Sequence, residues 1–178
     1  MTEVHVRPAT PKDLGAITAI YNEAVLNTTA SWDEEPVTVE NRRAWLHDHT
    51  SGRNAAFVAE DGGEVVGFAG YGRFRLKSGY DDTVEHSVYL RADARGRGTG
   101  TALMQAIVDT ARARGFHALI GGLSADNEAS LKLHENFGFV EVARMPQVGR
   151  KFGNWLDLVY VQLTLDERAL PGDPLPTE

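Results

Sequence analysis

A glycine-rich turn with basic residues is the segment whose composition points most directly to chemistry. It reads Arg95-Gly96-Arg97-Gly98-Thr99-Gly100 and lies between the apolar segments 87–90 and 101–104, an order that predicts a strand, a turn and the start of a helix. Glycines let the backbone approach a ligand closely and adopt positive φ angles. The first turn of a helix presents unpaired N–H groups and the positive end of its dipole. Because Arg91 and the two arginines of the turn add positive charge, the segment is predicted to bind a phosphate group.

The spacing of the glycines narrows the choice of phosphate ligand. A P-loop needs a lysine directly after its last glycine, but the next lysine in the chain is Lys132. The dinucleotide pattern G-x-G-x-x-G fails at its last position, whichever glycine starts the count. A pattern of Arg or Gln, two residues, Gly, one residue and Gly or Ala fits through Arg95, Gly98 and Gly100. A plain glycine turn that caps a helix remains the alternative.

A second motif follows at residues 127–139. It runs N-x-x-S-x-x-L-H-E-x-x-G-F, with Asn127, Ser130, His134 and Gly138 at its fixed positions. Together the turn and this motif resemble the acetyl-CoA pyrophosphate loop and the following helix of the GNAT N-acetyltransferases. The same residues also suit a structural role, since Asn127 can cap a helix and Gly138 can end it. Both interpretations can hold at once.

Length and composition exclude several classes of protein. The 178 residues suit one domain with a substantial core, predicted over residues 1–165, with residues 166–178 as a loose Pro-rich tail. A net charge of −7 argues against nucleic acid or an anionic membrane as a partner. The chain has no cysteine, which excludes disulfides, thiolate catalysis and Cys-ligated zinc. No signal segment or spanning apolar run is evident, so a cytoplasmic location is expected.

The periodicity of the chain predicts a mixed α/β domain with a single central sheet. Strands are expected at 4–7, 55–60, 64–74, 83–90 and 117–123, with two more flanking 149–154. Helices are expected after Thr10, over 39–49 and 98–114, and from Asn127. This order matches the GNAT fold, which implies a mostly antiparallel sheet flanked by helices.

Four segments make the resemblance more specific. They are 21–32, 83–89, 133–135 and 145–157, and they resemble the phosphinothricin and methionine sulfoximine N-acetyltransferases. The likeness covers about residues 4–165. It implies transfer of an acetyl group from acetyl-CoA to the α-amino group of a small amino-acid analogue in a ternary complex, a role in antibiotic or herbicide resistance, no metal, and a homodimer in which the late hairpin reaches the neighbouring subunit.

Two residues are the candidate catalytic groups. Acetyl transfer needs a neutral amine, and Glu85, on the strand before the glycine turn, can serve as the base, directly or through a water. Burial beside Val84 and Val88 would raise its pKa. An exposed charge at a strand start is the alternative. His134 stands where many GNAT enzymes have Tyr, so it is expected either to protonate the leaving thiolate or to form a hydrogen bond with the substrate.

The resemblance also assigns binding residues. A backbone N–H near Tyr89 and Leu90, where two strands separate, is the expected oxyanion donor. Cofactor contacts are expected from Val88, Tyr89, Leu90, Arg95, Gly96, Arg97, Gly98, Thr99, Gly100, Thr101, Asn127 and Ser130. Substrate contacts are expected from Thr29, Trp32, Arg75, Leu76, Lys77, Glu85, His86, Ser87, Lys151 and Asn154. Arg75 and Lys77 are predicted to bind the anionic groups of the substrate, although an ordinary solvated strand end would look the same.

Two other functions remain open from the sequence. The first is a GNAT enzyme that acts on another amine or on a peptide N-terminus. The second is a catalytically idle acyl-CoA-binding module. A metal site at His47 and His49 is rejected, because residues two apart on a helix point in different directions.

Overall fold

The computed structural model describes residues 4–175. Within these residues there are seven strands: β1 His5–Pro8, β2 Ala55–Asp61, β3 Glu64–Arg73, β4 Thr83–Leu90, β5 Ala118–Ser124, β6 Val140–Lys151 and β7 Asn154–Thr164. The same part of the chain forms four α-helices: α1 Leu14–Asn27, α2 Val39–His49, α3 Thr99–Ala113 and α4 Glu128–Asn136. Each element predicted from the periodicity is present, and its observed ends differ from the predicted ones by a few residues. The predicted and observed starts of α1 differ because Pro11–Asp13 forms a separate short 3-10 turn.

All seven strands form one sheet in the order β1-β2-β3-β4-β5-β7-β6. Only β4 and β5 run parallel, and the other five neighbouring pairs run antiparallel. The predicted mixed, mostly antiparallel sheet is therefore confirmed. The β4–β5 pairing stops at His86 and Gly121, although β4 continues to Leu90 and β5 to Ser124. The two strands thus separate in the middle of the sheet, beside the glycine turn.

Helices cover both faces of the sheet. On one face α3 contributes Leu103, Met104 and Ile107, all fully buried, to a cluster that also contains Leu119 of β5 and Val159 of β7. On the other face α1 and α2 pack through Ile17, Val25 and Leu46 against Val58 and Phe68. Burial of a large apolar side chain contributes about 1.5–3 kcal/mol. The first cluster contains Val84, and Tyr89 packs against the second, so β4 is held from both sides.

Both ends of the described chain contact the body of the domain. Near the start, Arg7 donates hydrogen bonds to Asp13 and Glu60 at 2.7 and 2.6 Å. In the segment predicted to be a loose tail, Asp166 accepts from the imidazole of His117 at 2.8 Å and from Arg168 at 2.7 Å. No helix within residues 4–175 has the length and hydrophobicity needed to cross a bilayer.

The β6–β7 hairpin forms one edge of the sheet. Its turn is Phe152-Gly153, whose φ angles of +50° and +77° suit a two-residue hairpin loop. Strand β6 is exposed along nearly its whole length and carries Val140, Val142 and Val148 with about half or more of each side chain in solvent. A long exposed apolar edge strand is a surface that other chains can pair with.

Candidate active site

The glycine turn forms the start of α3, as predicted. Gly98 is the residue before the helix and has φ of +87°, and Gly96 has φ of +69°; a side chain at either position would be strained. A Cβ on Gly100 would lie 3.4 Å from Leu90 and 3.5 Å from Leu133. The small residue therefore lets the helix start pack closely against β4 and α4. The turn leaves the first N–H groups of α3 available to an anion.

A long cleft of about 710 Å³ runs past this turn, between the loop after α1 and the start of α4. Ten of the predicted cofactor residues line it: Val88, Tyr89, Leu90, Arg95, Gly96, Gly98, Gly100, Thr101, Asn127 and Ser130. Arg97 and Thr99 do not, and the Thr99 side chain is buried under the turn. The cleft is also lined by Ala24, Asn27, Thr28, Thr29, Ala30, Asp126, Ala129, Leu133 and Phe152.

The arginines of the turn differ in their surroundings. Arg97 lies 3.6 Å from Asp61, on the side away from the cleft lining. Arg95 borders the cleft, where its guanidinium donates to the carbonyl of Leu90 at 3.3 Å and lies 3.7 Å from Glu23. Of the two, Arg95 is therefore the one placed to meet an anion in the cleft.

A side cavity of about 340 Å³ adjoins the long cleft. Tyr89 and Ala30 border both spaces, so the two are neighbours rather than separate pockets. The side cavity is also lined by Tyr21, Thr29, Ser31, Trp32, Asp33, Gly122, Leu123, Ser124 and Leu158. Thr29 and Trp32 are among the predicted substrate residues.

Glu85 lies next to Gly122, a residue that lines the side cavity. A Cβ on Gly122 would lie 3.2 Å from Glu85 Oε1, so the missing side chain leaves space between the carboxylate and that cavity. Burial raises the pKa of Glu85, and the Arg75 guanidinium, 3.8 Å away, opposes that shift. Burial was the predicted cause of the raised pKa, and the structure shows it. A carboxyl group with a raised pKa is a stronger base once it is ionised.

Arg75 is held close to Glu85 by aromatic neighbours. Its guanidinium lies 4.0 Å above the Phe74 ring and donates to the phenol oxygen of Tyr160 at 3.4 Å. Tyr160 was not singled out in the sequence. The other two predicted residues of this segment, Leu76 and Lys77, are exposed on the turn that follows, and Leu76 has 87% of its surface in solvent.

His134 and His86 form a buried pair on the opposite face of the sheet from Glu85. The Nδ1 of His134 lies 2.7 Å from the carbonyl of Ser130, which can only accept, so Nδ1 carries the proton. The Nε2 atoms of the two rings are 3.2 Å apart, and His86 therefore donates to His134. Burial lowers the pKa of both rings, that of His86 to about 3 with a further contribution from His134. Both imidazoles are neutral at pH 7.

A small inner cavity of about 60 Å³ lies between this pair and the side cavity. Its lining includes His86, Ser87, Ser124 and His134. Among the described residues, His86 Nδ1 and Ser124 Oγ are buried atoms without a hydrogen-bond partner. Ser87 and His86, both among the predicted substrate contacts, line this inner cavity and not the side cavity. The His86 ring also packs against His134 and Phe139.

The loop after α1 is attached to the β6–β7 hairpin. A Cβ on Gly149 would lie 2.1 Å from the Trp32 ring, so this ring lies directly on the glycine backbone. Lys151 is buried and donates from Nζ to the carbonyl of Ser31. Asn154 lies farther out on the hairpin and lines a separate cavity of about 420 Å³ with Lys151, Glu34, Arg150, Gly153 and Trp155. Within one chain, Lys151 therefore supports the loop, and Asn154 is away from Glu85's cavity.

The described residues contain no group of three or more His, Asp or Glu side chains arranged to hold a metal ion. They do contain a mixed sheet with two diverging parallel strands and an anion-binding helix start beside the gap. The Glu85 carboxylate lies next to Gly122 of the adjoining cavity. This is the arrangement of an acetyltransferase. Residues 6–160 match the acetyltransferase (GNAT) domain family, and the chain belongs to that family.

Similar proteins narrow the family further. An L-methionine sulfoximine/L-methionine sulfone acetyltransferase of Pseudomonas aeruginosa is 49% identical over 162 residues, which are 90% of this chain and 94% of that protein. An L-amino acid N-acyltransferase of Escherichia coli is 46% identical over 93% and 96% of the two chains. The structure of a GNAT phosphinothricin acetyltransferase from Sinorhizobium meliloti in complex with acetyl-CoA superimposes with a TM-score of 0.89, at 36% identity over 93% and 89%. The resemblance stated from the sequence is confirmed.

Proposed function

We propose that this chain transfers an acetyl group from acetyl-CoA to the α-amino group of a small amino-acid analogue such as methionine sulfoximine, methionine sulfone or phosphinothricin. The observation that carries the proposal is the pairing of Glu85 with Arg75 beside Gly122, which lines a cavity that adjoins an anion-binding cleft. A base and a cation side by side suit a substrate that carries an amine and a carboxylate. The relatives named above support the same substrate class.

The long cleft fits acetyl-CoA, which supplies an activated acetyl group as a thioester. The N–H groups of the glycine turn and Arg95 would hold the pyrophosphate, and Asn127 and Ser130 border the part of the cleft nearer the sheet. The Asn127 side chain accepts from the N–H of Ser130 at 3.1 Å, which leaves its amide N–H₂ free to donate. The fit rests on these donors and on the positive-φ backbone of Gly96 and Gly98.

The gap between β4 and β5 supplies backbone donors. Arg91 donates its N–H to Val66 of β3. Successive N–H groups of a strand point to opposite sides. The N–H groups of Leu90 and Val88 therefore point towards β5, with which β4 no longer pairs at that level. Either can stabilise negative charge on an oxygen placed in the gap.

Glu85 and His134 take different roles in this proposal. Glu85 accepts the proton of the amine, because its carboxylate lies beside Gly122 of the side cavity and burial raises its pKa. His134 is neutral, and its only N–H is donated to Ser130, so it has no free proton to give. Because the other ring nitrogen accepts from His86, neither role considered for His134, protonating the thiolate or bonding the substrate, finds a free atom. His134 is therefore assigned a third role, positioning by hydrogen bonds.

A homodimer formed through the β6–β7 hairpin is part of the proposal, as are a cytoplasmic location and a role in resistance. The exposed valines of β6 and the largely exposed Trp155 support the dimer surface. Val142→Glu places a charge in that strand and is expected to yield monomers in light scattering. A wild-type protein that is monomeric at micromolar concentration contradicts the dimer without affecting the proposed reaction.

Thiol release from acetyl-CoA tests the proposed reaction. The panel comprises methionine sulfoximine, methionine sulfone, phosphinothricin, ordinary amino acids and short peptides, and the chain adds no thiol background because it has no cysteine. Rapid release with the sulfoximine, sulfone or phosphinothricin supports the proposal. Release only with peptides or unrelated amines overturns the substrate class, and acetyl-CoA binding without any release identifies an idle binding module.

A further inference from the structure

Tyr160 lies beside two charged groups near the side cavity, Glu85 and Arg75. It pairs with Gly122 across β5 and β7, and its Cε1 lies 3.4 Å from the point where a Cβ on Gly122 would be. Glu85 Oε1 lies 3.2 Å from the same point. The phenol ring and the carboxylate therefore border one small space, which a side chain at position 122 would fill.

The same phenol contacts Arg75. One guanidinium nitrogen donates to the carbonyl of Phe74 at 2.8 Å, and the other donates to Tyr160 Oη at 3.4 Å. The Phe74 ring lies under the guanidinium and meets the Tyr160 ring edge-on, with centroids 6.5 Å apart. Arg75 is half-exposed, and an exposed arginine without such contacts would sample many rotamers. These contacts direct it towards Glu85 and the cavity.

We propose that Tyr160 is a specificity-determining residue of the amine site. Its hydroxyl oxygen orients Arg75, and its O–H donates a hydrogen bond to the carboxylate of the amino-acid substrate. The inference rests on the proposed function and deepens it. It assigns recognition of the carboxylate to a phenol and a guanidinium acting together.

The hydrogen-bonding capacity of the two groups supports this assignment. A phenol oxygen that accepts from Arg75 keeps its O–H free to donate. Arg75 uses two of its five N–H groups on Phe74 and Tyr160, which leaves three for an anion. A carboxylate between them accepts charge-assisted bonds from Arg75 and a further bond from Tyr160. A neutral group in the same position, such as a carboxamide, would gain much less binding free energy from these hydrogen bonds.

The test compares wild type, Tyr160→Phe and Tyr80→Phe in steady-state acetylation. Tyr160→Phe keeps the ring and removes only the hydroxyl. Tyr80→Phe is the matched control, because the Tyr80 ring also packs edge-on against Phe74, with centroids 5.8 Å apart. The amines are methionine sulfone and its carboxamide, which differ only in the charged group.

We expect Tyr160→Phe to raise KM for methionine sulfone about tenfold, since a hydrogen bond to a charged group contributes roughly that much to binding. KM for the carboxamide and for acetyl-CoA should stay at the wild-type value, as should all constants of Tyr80→Phe. An unchanged KM for methionine sulfone, or an equal rise for both amines, overturns the assignment. A wild-type protein that acetylates no amino acid overturns the proposed function and this inference with it; an active wild type with an unaltered Tyr160→Phe overturns the inference alone.

Discussion

The buried histidine pair should make the stability of the protein depend on pH, and His86→Phe should reduce that dependence. Burial, with a smaller contribution from His134, lowers the pKa of His86 from 6.5 to about 3. Between these values the unfolded chain binds a proton that the folded chain excludes, so the free energy of unfolding falls as the pH falls. For one such group the loss between pH 7 and pH 5 is about 2 kcal/mol. Phenylalanine removes this contribution while it keeps an aromatic ring against His134 and Phe139.

Urea unfolding at pH 7 and pH 5 measures the effect. At pH 7 the variant should be less stable by about 1–2 kcal/mol, because His134 Nε2 loses the N–H that His86 donates. Between pH 7 and pH 5 the variant should lose about 2 kcal/mol less than wild type does. His47→Phe, at an exposed position of α2, is the control and should follow the wild-type curve. If His86→Phe and wild type lose the same free energy of unfolding between pH 7 and pH 5, the inference that His86 is buried and neutral is wrong.

Three further outcomes test other parts of the site and fold. Glu85→Gln should lower turnover by about 10²–10⁴-fold at neutral pH. It should also abolish the rise of kcat/KM with pH, which a base with a raised pKa produces. Full activity of the variant at every pH would exclude Glu85 as the base. Gly149→Ala should displace Trp32, change its fluorescence and raise KM for the amine, since overpacking costs about 1–3 kcal/mol, whereas Gly15→Ala meets no neighbour within 4 Å and should be silent in both readouts. Asp13→Asn should lower the free energy of unfolding by about 2 kcal/mol at pH 7, because hydrogen bonds from Arg7 hold the pKa of Asp13 at about 2. The difference between variant and wild type should vanish in acid, where the wild-type carboxyl is also protonated. An equal difference at all pH values would contradict the ion pair.

The sequence predicts local features of the site well and distant contacts poorly. The glycine turn and Asn127 are parts of continuous motifs, and each lies on the cleft as expected. Strand alternation also places Glu85 and His86 on opposite faces correctly. His86, named among the expected substrate contacts, packs against His134 and lines the inner cavity together with Ser87.

The residues that sequence reasoning missed have no local signal. Tyr160 reads as one more aromatic position in an alternating strand, and only the pairing of β7 with β5 brings it beside Glu85. Gly149 reads as a hairpin glycine, yet its role depends on Trp32, more than a hundred residues earlier in the chain. Ser124 ends a strand without any pattern around it. In each case the contacts of the residue depend on which strands become neighbours. The local sequence of one strand does not determine that pairing or its register.

The adjacent glycines of β5 have a consequence for how such an enzyme can evolve. A Cβ on Gly121 would meet His134 at 2.9 Å, and one on Gly122 would meet Glu85, so a single strand separates two chemically different layers. The His134 layer is continuous with the core, and most substitutions there threaten folding. The Glu85 layer includes the exposed Arg75 and the partly exposed Tyr160, whose substitution costs less stability than that of a fully buried residue. Descendants of this chain should therefore acquire new amines readily while their acetyl donor stays the same.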